Sequence, residues 1–202
     1  MRYNDIDKRK TAFIFEFDNV LYPEKDYLYQ VYYLFASILE YTELFNAHET
    51  TDLLINTYIT KGKDFVFDEL KEKLKVEEKY RQNLDELLIN AKLPLKLLLY
   101  KNMLSLLQDI IIDRKKIFIV TNGKTEQQLN KIKQTEWHGL ESYLICYFAN
   151  ESAPKPNTNC MDLIINDHNL QTRDLVIIEN SETDILFAQA CGIDFINFSQ
   201  FL

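Results

Sequence analysis

The chain is poor in the residues that build disulfide frameworks and zinc centres. It carries three cysteines and three histidines in 202 residues. Cys146, Cys160 and Cys191 are odd in number, far apart and without a CxxC pair. That pattern argues against a disulfide framework and for a reducing, cytoplasmic setting. His48, His138 and His168 do not cluster, so a zinc site is not expected and each reads as a surface or packing residue. No apolar run approaches the ~18–20 residues of a membrane-spanning helix. Met1–Lys10 is polar and charged, without the apolar stretch of a signal peptide. Internal repeats and low-complexity linkers are missing as well. Positive charge is in deficit: 23 Lys and Arg face 31 Asp and Glu, a formal net charge of -8. A nucleic-acid polymer or an anionic membrane is therefore not an expected partner. A locally positive pocket remains compatible with that balance.

The chain does hold enough apolar residues for one sizeable α/β core, or a core plus a small second domain. Its most apolar strand candidate, Ala12–Asp18, contains two acids, Glu16 and Asp18. Phe13, Ile14 and Phe15 fit a strand buried on both faces, as in a parallel sheet. A carboxylate is rarely buried there without a partner. Acids at i and i+2 leave a strand on the same side. At a strand's C-terminal end they would converge where α/β proteins bind ligands.

From about Asp26 to Ile112 the period is helical. Leu28, Val31, Tyr32, Phe35, Ile38 and Leu39 follow i, i+3, i+4 spacing. Leu97 to Ile111 reads as one apolar helix. After that the pattern alternates. Strands are expected at Lys116–Thr121, Leu144–Phe148, Leu175–Glu179 and Asp194–Asn197. Helices are expected to start at Thr125 through a Thr125–Gln128 capping box, at Thr158, and at Asp184. Alternation of this kind implies a doubly wound, parallel, Rossmann-like α/β sheet. An insertion of roughly 70 residues is too long for a plain crossover. It predicts an inserted all-helical cap at 22–95, with the core at 1–21 and 96–202. Extra helices packed on the sheet edge are the plainer alternative.

Four segments fall at predicted strand ends: Glu16–Asp18, Thr121-Asn122-Gly123, Lys155, and Glu179-Asn180-Ser181-Glu182-Thr183-Asp184. In a parallel sheet they would meet at one edge. Acids offer oxygen ligands for Mg²⁺. A hydroxyl, free backbone N–H groups and a lysine can hold a phosphate. The set has the makings of a phosphoryl-transfer site.

With these residues in this order, the chain resembles the haloacid dehalogenase (HAD) superfamily over nearly its full length. Phe17-Asp18-Asn19-Val20-Leu21-Tyr22-Pro23 looks like the start of its nucleotidase-like phosphatases. Thr121, Lys155 and Glu179–Asp184 look like its second, third and fourth motifs. The resemblance implies a Mg²⁺-dependent phosphatase acting on a small phosphorylated metabolite such as a nucleotide or sugar phosphate. Catalytic roles would fall to Glu16, Asp18 and Lys155. Thr121, Asn122 and Lys155 would bind phosphate. Glu16, Asp18, Glu179, Asn180 and Asp184 would face the metal. In that scheme the acid at position 16 attacks phosphorus and forms an acyl-phosphate. Asp18 protonates the leaving group and then activates water.

The sequence departs from the family pattern twice. Glu16 stands where the family has Asp, and one extra methylene moves a carboxylate by about 1–1.5 Å. A misplacement of ~1 Å can cost ~100-fold in rate. Asn180 stands where the resemblance expects the main metal-binding Asp, and affinity falls with ligand charge. The expectation is impaired or specialised hydrolysis. The alternatives are a catalytically inactive module that binds a metabolite or protein, and haloacid dehalogenation by the same nucleophile. Plainer roles exist for each residue. Glu16 could simply pair with Lys155, Asp18 could be a turn acid, and Asp184 could cap a helix. Tyr22, Tyr27, Tyr29, Tyr32, Tyr33 and Tyr41 could stack on a flat substrate or form cap core.

Overall fold

The computed structural model describes residues 1–201. The chain divides into two compact units, Met1–Glu24 with Leu97–Leu202, and Lys25–Lys96. In chain order its elements are β1 (Ala12–Phe15), α1 (Glu24–Glu43), α2 (Ala47–Lys61), α3 (Val66–Leu74), α4 (Arg81–Asn90) and β2 (Leu97–Leu98). They continue with α5 (Lys101–Ile112), β3 (Lys116–Thr121), α6 (Thr125–Lys133), β4 (Thr135–Glu136) and β5 (Leu144–Phe148). The last are α7 (Asn159–His168), β6 (Leu175–Glu179), α8 (Glu182–Cys191) and β7 (Asp194–Asn197).

In the first unit the main sheet runs β5-β3-β1-β6-β7, with every neighbouring pair parallel. The α/β doubly wound expectation therefore holds. β1, β3 and β6 form the sheet's centre, and their inward residues are fully buried: Phe13, Ile14, Phe15, Ile117, Phe118, Ile119 and Ile177. Alternate side chains leave opposite faces. On one face Ala12, Ile14, Phe118, Val120, Leu175 and Ile177 pack with Met161 and Ile164 of α7 and Phe187 and Ala188 of α8. Tyr3 closes against Phe13, with ring centroids 6.0 Å apart.

Two boundaries differ from the sequence expectation. The strand expected to reach Asp18 stops at Phe15, because the chain turns at Asn19 with φ 61° and forms an Asp18–Tyr22 bridge. Asn tolerates that left-handed backbone. The helix expected from Leu97 begins at Lys101, because Leu97 and Leu98 pair with Thr135 and Glu136 in a two-stranded sheet.

The second unit is all helical. Asn46 caps α2 by accepting the Glu49 N–H, and Gly62 ends it at φ 95°. Its interior uses the predicted stripe of Leu28, Val31, Tyr32, Phe35 and Leu39, with Leu54, Phe67, Leu70 and Leu84 also buried. Tyr27 donates to the Leu88 carbonyl at 2.6 Å, and Tyr58 meets Tyr29 edge-on at 6.1 Å. Tyr27 and Tyr32 are interior residues, whereas Tyr33 and Tyr41 are exposed.

Truncating the central strand tests the packing. Ile14→Ala removes a fully buried side chain and is expected to cost about 2–5 kcal/mol. Exposed Leu163→Ala is expected to stay within ~0.5 kcal/mol. Urea unfolding midpoints of both variants check the contrast.

Candidate functional site

The carboxyl ends of β1, β3 and β6 deliver Glu16, Thr121 and Glu179 to one edge of the sheet. Lys155 arrives from the loop after β5. The turn after β6 is short because Ser181 caps α8: its hydroxyl and Asp184 exchange hydrogen bonds across the first turn. The capping role proposed for Asp184 is therefore real. It leaves one carboxylate oxygen directed elsewhere.

That oxygen faces Lys155. The ammonium Nζ lies 2.7 Å from Glu16 Oε2, 2.9 Å from Glu179 Oε1 and 2.8 Å from Asp184 Oδ1. It also donates to the Val120 carbonyl at 3.2 Å. The lysine side chain is wholly buried. Burial alone would strip its proton, but Glu16, Glu179 and Asp184 outweigh that effect and hold its pKa well above the ordinary lysine range. One ammonium cannot neutralise three carboxylates. Burial drives Glu179 far above the usual carboxylate range, Lys155 only partly opposing it, so Glu179 is the group that keeps a proton. Asp184 stays below its usual range: burial would raise it, but Lys155 and the hydrogen bonds from Glu179, Lys155 and Ser181 prevail.

Glu16 is held on both oxygens. Phe17 N–H donates to Oε1 at 2.7 Å, and Asn122 N–H reaches Oε2 at 3.4 Å. Burial raises its pKa, with Lys155 and the Thr121 hydroxyl pulling the other way.

Asp18 belongs to a different ion pair. Lys131 Nζ bridges its two oxygens at 2.8 and 3.1 Å. Tyr22 hydroxyl donates at 2.5 Å and Gln128 Nε2 at 2.9 Å. Every one of these neighbours is a donor. Burial would raise the Asp18 pKa, but Lys131, Tyr22 and Gln128 hold it below the usual range. The two acids two residues apart are thus clamped by two different lysines.

The phosphate-binding candidates are occupied too. Thr121 hydroxyl donates to the Asn122 carbonyl at 3.3 Å and accepts from Gln128 at 2.6 Å. Asn122 clamps the Lys155 main chain, its amide donating to the carbonyl at 3.2 Å and its oxygen accepting the N–H at 2.8 Å. Gly123 N–H donates to Asn150 Oδ1 at 2.9 Å. Asn180 lies exposed in the turn between β6 and α8.

Sequence reasoning missed Lys131, Gln128 and Tyr22. The expected capping box at Thr125 is not made; Thr125 is the first helical residue, and Gln128 turns inward onto Asp18 and Thr121. α6 is inverted relative to its hydropathy: Gln128 and Lys131 are buried while Leu129 is exposed. The usable signal was the Gln128–Lys131 spacing of three, which puts both on one helix face.

A protein-family model described as haloacid dehalogenase-like hydrolase matches residues 13–198. The fold and the four strand-end segments therefore have one explanation: the chain belongs to the haloacid dehalogenase-like hydrolase family. Among similar solved structures is a hydrolase from Streptococcus pneumoniae, 16% identical, covering 93% of this chain and 92% of that one, with TM-score 0.59. The provisionally named HAD-hydrolase YfnB from Bacillus subtilis, bound to magnesium, is 17% identical over 93% of this chain and 86% of that one, with TM-score 0.58. A provisionally named phosphoglycolate phosphatase from Lactobacillus delbrueckii is 14% identical over 98% and 86%, with TM-score 0.56. At such identities the likeness is one of fold. No curated protein sequence matches the chain.

The donor set does not fit a divalent ion as arranged. Among the described residues, no group of three or more His, Cys, Asp or Glu side chains is disposed to hold one. Glu16, Glu179 and Asp184 converge on an ammonium instead. Two unit charges 4 Å apart near a protein surface interact by about 4 kcal/mol, so a divalent ion beside Lys155 would meet roughly twice that in repulsion from the ammonium, which offsets part of its attraction to the carboxylates.

Two substitutions probe this electrostatic arrangement. Lys131→Met leaves the Asp18 charge partnered only by neutral donors and is expected to cost about 3–5 kcal/mol at pH 7. Asp18 has a lowered folded pKa, so its stabilisation is present above the unfolded value of ~3.9 and lost as pH falls through the folded value. The wild-type advantage should therefore shrink below about pH 4, as read by urea unfolding at several pH values. Glu179 has the opposite sign. Its raised folded pKa means stability is lost as pH rises above the unfolded value of ~4.3. Glu179→Gln should gain on wild type as pH rises from about 4 to 8 in the same assay.

Proposed function

We propose that this family member is a phosphomonoesterase of strongly attenuated turnover, acting on a small phosphorylated metabolite. The observation that carries the reading is the double clamp: Lys155 shared by Glu16, Glu179 and Asp184, and Asp18 tied to Lys131, Tyr22 and Gln128. The family membership and the ordered strand-end residues support the reaction class. The clamp supports the attenuation.

In this reading Glu16 attacks phosphorus, the bond from phosphorus to the leaving-group oxygen breaks, and a glutamyl-phosphate forms. Lys155 offsets charge on the attacking carboxylate. Asp18, held ionised, is suited to take a proton from the hydrolytic water and poorly suited to give one to the leaving group. The second carbon of Glu16 and the neutral Asn180 both lower the rate, and both act on the same centre. The magnesium expected from the family is not supported by this arrangement of donors, so no step is assigned to it. The three free cysteines suit a reducing cytoplasm. Among the described residues no helix is long and apolar enough to cross a membrane.

A second reading, a non-catalytic module that binds a metabolite or protein through the same cleft, is favoured by the occupied phosphate donors. Asn122 N–H, Gly123 N–H and the Thr121 hydroxyl already have partners.

Hydrolysis of p-nitrophenyl phosphate separates the readings. Attenuated catalysis predicts slow turnover by wild type, loss of it in Asp18→Asn, and a gain of roughly 100-fold in Glu16→Asp/Asn180→Asp measured with Mg²⁺. Wild-type turnover equal to that of the double variant would contradict attenuation. Silence in both favours the binding module.

A further inference from the structure

We infer that the Lys155 ammonium serves as this site's resident cation, standing in for a divalent metal ion, so that the folded chain takes up no Mg²⁺ at this centre. The inference goes beyond the proposed hydrolysis and does not depend on turnover.

Three carboxylates from three separate elements, Glu16 after β1, Glu179 ending β6 and Asp184 in α8, each place one oxygen within 2.7–2.9 Å of the same nitrogen. With the Val120 carbonyl at 3.2 Å, four oxygens surround it. Convergent oxygens from several strand ends are what a hard cation requires. Here the cation is covalently part of the chain, and its stem is fixed from behind. Asn122 holds the Lys155 main chain by a reciprocal pair of hydrogen bonds. That clamp fixes the main chain from which the ammonium reaches the three acids.

The remaining residues agree with the assignment. The next residue after Glu179 is the neutral, exposed Asn180, so the turn adds no charged ligand for a metal ion. The other nearby acid, Asp18, is already matched by Lys131. Lys155 and Lys131 between them engage Glu16, Asp18, Glu179 and Asp184, so each of these acids already has an ammonium partner. An incoming divalent ion would have to displace an ammonium from a buried cage rather than water from an open one.

The test uses the full chain and reads metal binding directly. Mn²⁺ is titrated as a paramagnetic probe and followed by electron paramagnetic resonance, with Mg²⁺ heat measured by calorimetry. Melting temperatures are compared in Mg²⁺ and in EDTA at matched ionic strength. Wild type is expected to show no saturable site below about 10 mM metal and no melting shift. Lys155→Met, which keeps the stem and removes the charge, is expected to gain a saturable Mn²⁺ and Mg²⁺ site and a metal-dependent rise in melting temperature. Should that variant fail to fold, Asn180→Asp carries the test. Its added carboxylate supplies a charged ligand that the turn after β6 lacks, and a saturable site below about 10 mM metal is expected where wild type shows none. Saturable wild-type binding below about 10 mM would overturn the inference. Equal failure to bind by wild type and by every folded variant would also overturn it, since removing the resident cation or adding charge would then open nothing.

Discussion

One buried ammonium organises the carboxyl edge of this sheet. Lys155 is the point at which β1, β3, β6 and α8 meet electrostatically, through Glu16, the Val120 carbonyl, Glu179 and Asp184. A buried charge is costly unless paired and hydrogen-bonded. The same holds in reverse for the acids. Each member is tolerable only because the others are there, and the site's protonation pattern follows. Asp184 stays ionised by its cap and by the lysine, and Glu179 yields by keeping a proton.

The second clamp has a different consequence. Lys131 and Gln128 reach Asp18 from α6, and Tyr22 reaches it from the turn that ends the first strand segment. A carboxylate surrounded by donors is stabilised as an anion. That suits a base and works against an acid, which bears directly on what such a site can do to a poor leaving group. Together the two clamps leave a centre that is electrostatically satisfied on its own. A site of this kind gains stability at the expense of the unspent charge on which catalysis relies.

Much of the fold was legible in the chain. Phe13-Ile14-Phe15 and Ile117-Phe118-Ile119 read as buried parallel strands because both faces are apolar, and they are. The strand-end positions of Glu16, Thr121, Lys155 and Glu179 followed from the alternation of elements. The Glu16–Lys155 pairing was legible as the plainer role for Glu16. The contribution of α6 was not. Hydropathy places Leu129 inward and Lys131 outward, and the half-buried Asp18, bonded by Lys131 and Gln128, accompanies the reversal, a tertiary effect invisible to local pattern. The end of β1 was overextended for a similar reason: the turn at Asn19 is fixed by Tyr22 folding back on Asp18, not by a Gly or Pro signal. The clamp that the Asn122 side chain makes on the Lys155 main chain was equally invisible to local pattern.

Lys155 stands in this structure as a charged, buried, engaged ammonium. Side-chain ¹H–¹⁵N correlation spectroscopy of the lysine Nζ groups tests it directly, with Lys155→Met to assign the signal. A resolved Lys155 NH₃⁺ resonance is expected at neutral pH, protected from exchange and persisting well into the alkaline range. A Lys155 signal that exchanges as fast as those of the surface lysines would contradict it.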